Sequence, residues 1–306
     1  MLFQYIFIAF SSFFLAVAAI IISRKIVRKR KFLIVKNMPL IGGLSIGLAF
    51  FMTSCLVFGF YPVIPSKVIG ILSACGLMLF FGVMDDVREM PALLKLILQV
   101  IAAGLVIFFG VRTNIGFLPE TVNYALTLVW ILVITNAVNL LDVTDGLAGG
   151  TVFLAGTSFF IVAVFTGDTA ACSLLLCFLG GLAAFLLYNF PPAKIYMGNA
   201  GSHFLGFFLA VIAILLQGSW AGRAPASFSP LFILGLPIFY IVSMMWVHLQ
   251  KGRSLFIKIN GYPAGRTYAS VYAQRMDLCM MLGFCFILCC AGVLVSRFSN
   301  PVFCFL

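Results

Sequence analysis

Eight carboxylates stand in this chain of 306 residues, and four of them come as close pairs, Asp85 with Asp86 and Asp142 with Asp145. Like charges placed together repel, most strongly near a low-dielectric medium, so each pair asks for a cation or a Lys/Arg partner. Both pairs follow long apolar runs, which puts them where helices leave a membrane, and ionisable pairs there mark function more often than they serve as polar stops. Lys95 and Gln99 follow one turn apart and share a helical face, from which Lys95 can lean back to the aspartates or reach a phosphate. A lysine that merely snorkels to water is the plainer reading of the same residue.

A second segment, Asn136-Ala-Val-Asn139-Leu-Leu-Asp142-Val-Thr-Asp145-Gly146, repeats polar residues at steps of three, so that Asn136, Asn139 and Asp142 form one polar edge of a helix. The two amides need partners in a dry setting, and Asp142 with Asp145 offers oxygens to a divalent cation or to ribose and sugar hydroxyls. Helix capping accounts only for Asp145 before Gly146. A third segment runs from Asn189 through Lys194, Gly198, Asn199 and Gly201 to Ser202 and His203. Pro191 and Pro192 stop one helix, and the small residues open the next, presenting backbone N–H groups to an anion such as phosphate. The fourth, from Gln250 to Arg275, holds Lys251, Arg253 and Arg266, which suit a nucleotide's phosphates or simply obey the positive-inside rule.

The elements that carry these segments follow from composition. With 63% hydrophobic and 9% charged residues and a mean hydropathy of +1.19, the chain cannot cover a soluble surface. Apolar runs near 2–22, 39–60, 67–84, 92–111, 122–141, 149–166, 169–189, 201–217, 229–249 and 278–296 predict ten spans in a single polytopic membrane domain, 1–306. No basic stretch precedes the first run and no small-residue cleavage site follows it, so it reads as a helix rather than a signal peptide. Of 19 Lys and Arg, only Lys67, Arg112, Arg223 and Arg297 fall on one set of connections, so the other set is cytoplasmic and both termini lie outside. Topology and anionic headgroups thereby explain the net charge of +11, and no nucleic-acid site is needed. Nine cysteines without paired spacing beside histidine read as small buried hydrophobes. All four polar segments fall on the cytoplasmic face, which points to one pocket and to phosphoryl transfer to a lipid. A transporter would scatter its ionisable residues at mid-span instead.

Pro39 with Gly42-Gly43, Met84-Asp85-Asp86 with Lys95 and Gln99, the run from Asn136 to Leu147, and Asn189 through Gly201-Ser202 occur in one order. In this the chain resembles, from about Pro39 to Phe256, the polyprenyl-phosphate N-acetylhexosamine-1-phosphate transferases of glycosyltransferase family 4, as a divergent member. The resemblance implies an all-α protein of the bacterial inner membrane, with about ten transmembrane helices and cytoplasmic active-site loops. It implies transfer of a sugar-1-phosphate from a UDP-N-acetylhexosamine to undecaprenyl phosphate with release of UMP, starting a cell-envelope glycan. Mg²⁺ or Mn²⁺ and a homodimer come with it. Asp85, Asp86, Asp142 and Asp145 would be catalytic, and with Asn199 would hold the metal. Lys95, Asn136, Asn139, Asn189, Lys194, Gly198, Gly201, Ser202, Lys251 and Arg253 would bind substrate. The chain departs from the pattern in four ways: Asn199 stands for the aspartate of Met-Gly-Asp, Tyr240 for an aspartate, Val143 for a glycine, and no histidine lies between Lys251 and Arg275. The missing histidines favour UDP-N-acetylglucosamine as donor over the pentapeptide-bearing sugar. The alternative expectation is a catalytically silent scaffold or nucleotide-sugar binder.

Overall fold

The computed structural model describes residues 2–30, 33–35, 38–217, 226–250 and 271–298. Among these residues it is a helical protein: α1 Leu2–Arg30, α2 Gly42–Phe58, α3 Ser66–Val87, α4 Ala92–Phe108, α5 Glu120–Leu141, α6 Leu147–Thr166, α7 Thr169–Asn189, α8 Gly198–Gln217, α9 Ser229–Ile233, α10 Gly235–Gln250 and α11 Val271–Phe298. A two-stranded antiparallel hairpin, β1 Ile34–Val35 with β2 Met38–Pro39, joins α1 to α2. Pro65, Pro91 and Pro119 stand immediately before α3, α4 and α5, where a helix start has no use for the N–H that proline lacks. Gly167 ends α6 in the left-handed region, and the Asp168 side chain accepts from the Ala171 N–H to start α7.

Among the described residues, seven helices are long and apolar enough to cross a membrane, by length and composition: α1, α3, α5, α6, α7, α8 and α11. Each of the ten apolar runs falls on helix, but α2, α4 and α10 are shorter. The run near 229–249 is broken rather than continuous. Pro237 cannot donate to the Ile233 carbonyl, and the Cys289 thiol of α11 lies 3.6 Å from that oxygen instead. The chain accordingly restarts as α10.

α8 lies at the centre, with 89% of its most apolar stretch buried, whereas α1 and α11 bury 22% and form the rim. Phe50 of α2, Phe178 of α7 and Phe204 and Phe208 of α8 interlock there, Phe178 stacking on Phe208 at 4.3 Å between centroids. Large apolar side chains such as Phe3, Phe7, Phe10 and Phe14 point outward while Ser12, Ser45, Thr53 and Ser54 are buried, the distribution expected when lipid is the solvent. Five of the eight described cysteines are buried, and none of the eight is in a disulfide. Cys55, Cys279 and Cys290 are exposed, contrary to the expectation of burial, because lipid does not penalise an apolar thiol at the rim.

One end of the bundle is drawn together by small residues. A Cβ on Gly43 would lie 2.1 Å from the Gly201 nitrogen, and one on Gly82 would lie 2.4 Å from the Ala200 Cα, so α2 and α3 approach the first turn of α8 backbone to backbone. Gly42 and Gly43 donate to the carbonyls of Tyr196 and Met197, and Tyr196 donates to Pro39. The start of α8 is thereby clamped from two sides.

Candidate active site

α3 continues to Val87, so both aspartates of the first pair stand on its last turn rather than beyond it. Neighbours on a helix point about 100° apart, and the two serve different elements. Asp85, 4% exposed, accepts from the Met90 N–H at 2.8 Å and pairs with Lys95 Nζ at 2.7 Å. Lys95 sits in the first turns of α4, where the helix dipole disfavours a cation, and the Asp85 charge offsets that. One turn on, Gln99 is buried and exchanges amide hydrogen bonds with Asn136 of α5, at 2.7 and 3.4 Å. Lys95 and Gln99 thus share a face, with Asn136 engaged by its neighbour helix.

Asp86 turns to α8. Its two oxygens accept from the N–H groups of Asn199 and Ala200 at 2.7 and 3.0 Å. The helix start that the sequence reserves for a phosphate is therefore filled by a carboxylate of the protein, which neutralises the same positive helix end. Gly198, at φ +75°, must be glycine twice over, because a Cβ would also lie 2.6 Å from an Asp86 oxygen. Asn139 of α5 donates to Asn199 Oδ1 at 3.2 Å and to Ser202 Oγ at 2.8 Å, binding α5 to α8. The polar edge of α5 is thus split, Asn136 facing α4 and Asn139 facing α8.

Asp142 caps the end of α5. Dehydration, then the negative charges of Asp86 and Asp145, push its carboxyl up to about 7, an environment that turns favourable to the ionised form when a cation enters. Asp145 does not cap α6, whose cap residue is Gly146 without a side-chain bond; it accepts from the Ala193 N–H at 3.1 Å. Asn189 accepts from the Gly146 N–H and donates to the Ile195 carbonyl, so it braces the loop between α7 and α8. Arg275 of α11 donates to the Pro191 carbonyl at 2.9 Å on the same loop. Lys194 is exposed, and Gly201 is packed against Gly43.

The first three polar segments therefore meet at one end of the bundle, joined by the start of α11, while Lys251, Arg253 and Arg266 lie outside the described residues. His203, 6% exposed, is a member of this region that the site reading of the sequence leaves out; it lines a small cavity with Asp85, Lys95 and Gln99. Its position four residues after Asn199 on a helix starting at Gly198 is the signal that places it there. Among the described residues, no three His, Cys, Asp or Glu side chains form a ready metal cage. Mg²⁺ does not require one, since it binds through one or two carboxylates, waters and substrate phosphates. Asp142, crowded by two like charges, fits that mode of binding.

Residues 68–217 match the family described as Glycosyl transferase family 4. Over 215 residues, 67% of this chain and 58% of the relative, the chain is 33% identical to the "Probable undecaprenyl-phosphate N-acetylglucosaminyl 1-phosphate transferase" of Bacillus subtilis (strain 168). It is 42% identical over 93 residues to the "Phospho-N-acetylmuramoyl-pentapeptide-transferase" of Lactococcus lactis subsp. cremoris (strain MG1363), covering 30% of this chain and 28% of that one. The protein of the same description from Lacticaseibacillus paracasei is 37% identical over 125 residues, 41% of this chain and 36% of its own. The chain spans less than two thirds of the length of each of these relatives.

Proposed function

The chain belongs to glycosyl transferase family 4, and on that premise we propose that it transfers an N-acetylhexosamine 1-phosphate from a UDP-sugar to undecaprenyl phosphate, releasing UMP. The observation that carries this reading is the meeting of the Asp85–Lys95 pair, the Asp86-capped start of α8 and the Asn139–Asn199–Ser202 cluster beside Asp142. A phosphate oxygen of the lipid attacks the phosphorus bonded to the sugar, and the bond to the uridylate oxygen breaks. Both partners are anions, so the protein's task is to hold them in line and offset their repulsion.

In this reading Lys95 faces the lipid phosphate, partly exposed and anchored by Asp85. Asn139, Ser202 and Asp145 line the nucleotide-sugar side. Asp142, with Asp86 and the Asn199 amide oxygen near it, would hold Mg²⁺ or Mn²⁺, which when bound supplies charge neutralisation for the donor diphosphate. The ten helical runs would span the bacterial plasma membrane with both termini outside and the site cytoplasmic, and the product would start a cell-envelope glycan. UDP-N-acetylglucosamine is the favoured donor, and a homodimer the favoured assembly.

Asn199 favours a second reading, a silent nucleotide-sugar binder, because an amide oxygen is a poorer ligand for a hard dication than a carboxylate. Transfer of label from the β-phosphate of UDP-N-acetylglucosamine into the lipid phase separates the two: the transferase labels the lipid, and the silent binder retains the nucleotide without labelling it.

A further inference from the structure

His203 stands in the second turn of α8 with its Nδ1 2.9 Å from the Asn199 carbonyl oxygen. A carbonyl only accepts, so Nδ1 carries the hydrogen, and Nε2 of the neutral ring is left as a lone-pair acceptor on the edge turned away from its own helix. The ring lines the small cavity between α3, α4 and α8, whose other polar groups are Asp85, Lys95 and Gln99. Gln99 is engaged by Asn136, and Asp85 offers only acceptors. Lys95 has the most donors to spare in that wall, since its ammonium has three and gives one to Asp85, whereas Gln99 gives one of its two amide N–H donors to Asn136 at 3.4 Å and keeps one.

We propose that His203 is a positioning residue for Lys95. Nε2 accepts a second ammonium N–H, directly or through one water in the cavity, and the third N–H is thereby aimed outward at an anionic phosphomonoester oxygen. Lys95 is suited to this, since its side chain is 22% exposed while that of Asp85 is 2% exposed. A second carboxylate in place of the imidazole would fix the ammonium equally well but cancel its charge, whereas a neutral acceptor fixes it and leaves the charge to the ligand. Identifying the anion as the lipid phosphate rests on the proposed function. The link from His203 to Lys95 does not.

The test uses the full chain in lipid nanodiscs, with His203→Leu, His203→Asn, His203→Gln, Lys95→Met and the double variant His203→Leu/Lys95→Met. Without ligand, the melting-temperature loss from Lys95→Met should be smaller in the His203→Leu background than in the wild type. With substrates, His203→Leu and His203→Asn should raise KM for undecaprenyl phosphate about tenfold, a change of about 1.4 kcal/mol, and leave KM for the UDP-sugar unchanged. His203→Gln, whose terminal amide reaches the Nε2 position, should restore the lipid KM, and Asn, which reaches only Nδ1, should not. Additive melting-temperature losses overturn the inference, as does a Gln variant no better than Leu. A wild-type protein without turnover overturns the proposed function alone, because the melting cycle still decides whether His203 holds Lys95.

Discussion

Asp86, on the last turn of α3, holds the backbone N–H of Asn199 at 2.7 Å across 113 positions of sequence. This bond fixes where α8 begins, and with it the side chains of Asn199, Ser202 and His203. A carboxylate there answers the helix dipole and two unpaired N–H groups at once. Asp86→Asn keeps an acceptor but removes the charge. It should leave the protein folded, with a stability loss of about 1 kcal/mol, and abolish UMP release. A melting curve beside an activity assay checks both, and an Asp86→Asn protein that still turns over would remove Asp86 from the account.

Lys95 and Asp85 form a pair whose acidic partner is buried. Lys95→Met should destabilise the protein by about 3 kcal/mol, because Asp85 would be left as an unpaired buried charge. Adding Asp85→Asn to that variant should recover most of the lost melting temperature and none of the activity. Equal melting temperatures for the single and double variants would show that the pair does not bear on folding.

Gly43→Ala places a Cβ 2.1 Å from the Gly201 nitrogen, a backbone atom that no rotamer change can move aside. The first turn of α8 must shift, so activity should fall by orders of magnitude while the bundle still folds. Gly104→Ala, at a glycine with nothing within 4 Å of its Cβ position, is the control and should change neither. Wild-type activity in Gly43→Ala would show that the clamp on α8 does not position the site.

Asn199→Asp supplies the carboxylate that the resemblance to the family's Met-Gly-Asp pattern implies at this position. Asn139, which donates to Asn199 Oδ1, can donate equally to a carboxylate, so the cluster tolerates the change. The Mg²⁺ concentration for half-maximal UMP release should fall about tenfold, since a carboxylate is the better ligand for a hard dication. An unchanged metal requirement would place the cation away from Asn199.

Much of this arrangement is local and therefore legible in the sequence. The apolar runs beginning near 67, 92 and 122 mark the starts of α3, α4 and α5, which begin at Ser66, Ala92 and Glu120, and the four-residue step from Lys95 to Gln99 gives their common face. What escapes is what depends on distant partners. The three-residue step from Asn136 to Asn139 reads as one edge, but α4 takes the first and α8 the second. The small residues at 198–202 read as an open anion site, and no local pattern says that Asp86 closes it. Hydropathy joins α9 to α10, because it weighs side chains and is blind to the hydrogen bond that Pro237 cannot make. His203 closes the third polar segment in the sequence, but only the packing of α3 and α4 against α8 brings it to the same cavity as Lys95.

UMP release by the purified chain shows whether these residues transfer a sugar-1-phosphate. The assay supplies undecaprenyl phosphate, a panel of UDP-sugars, and Mg²⁺ or Mn²⁺ against EDTA. The account predicts release with an N-acetylhexosamine donor, UDP-N-acetylglucosamine foremost, that stops in EDTA, without the lipid phosphate and in Asp86→Asn. No release with any donor, from folded protein assayed beside an active relative, would contradict it and leave a nucleotide-sugar binder on the same fold.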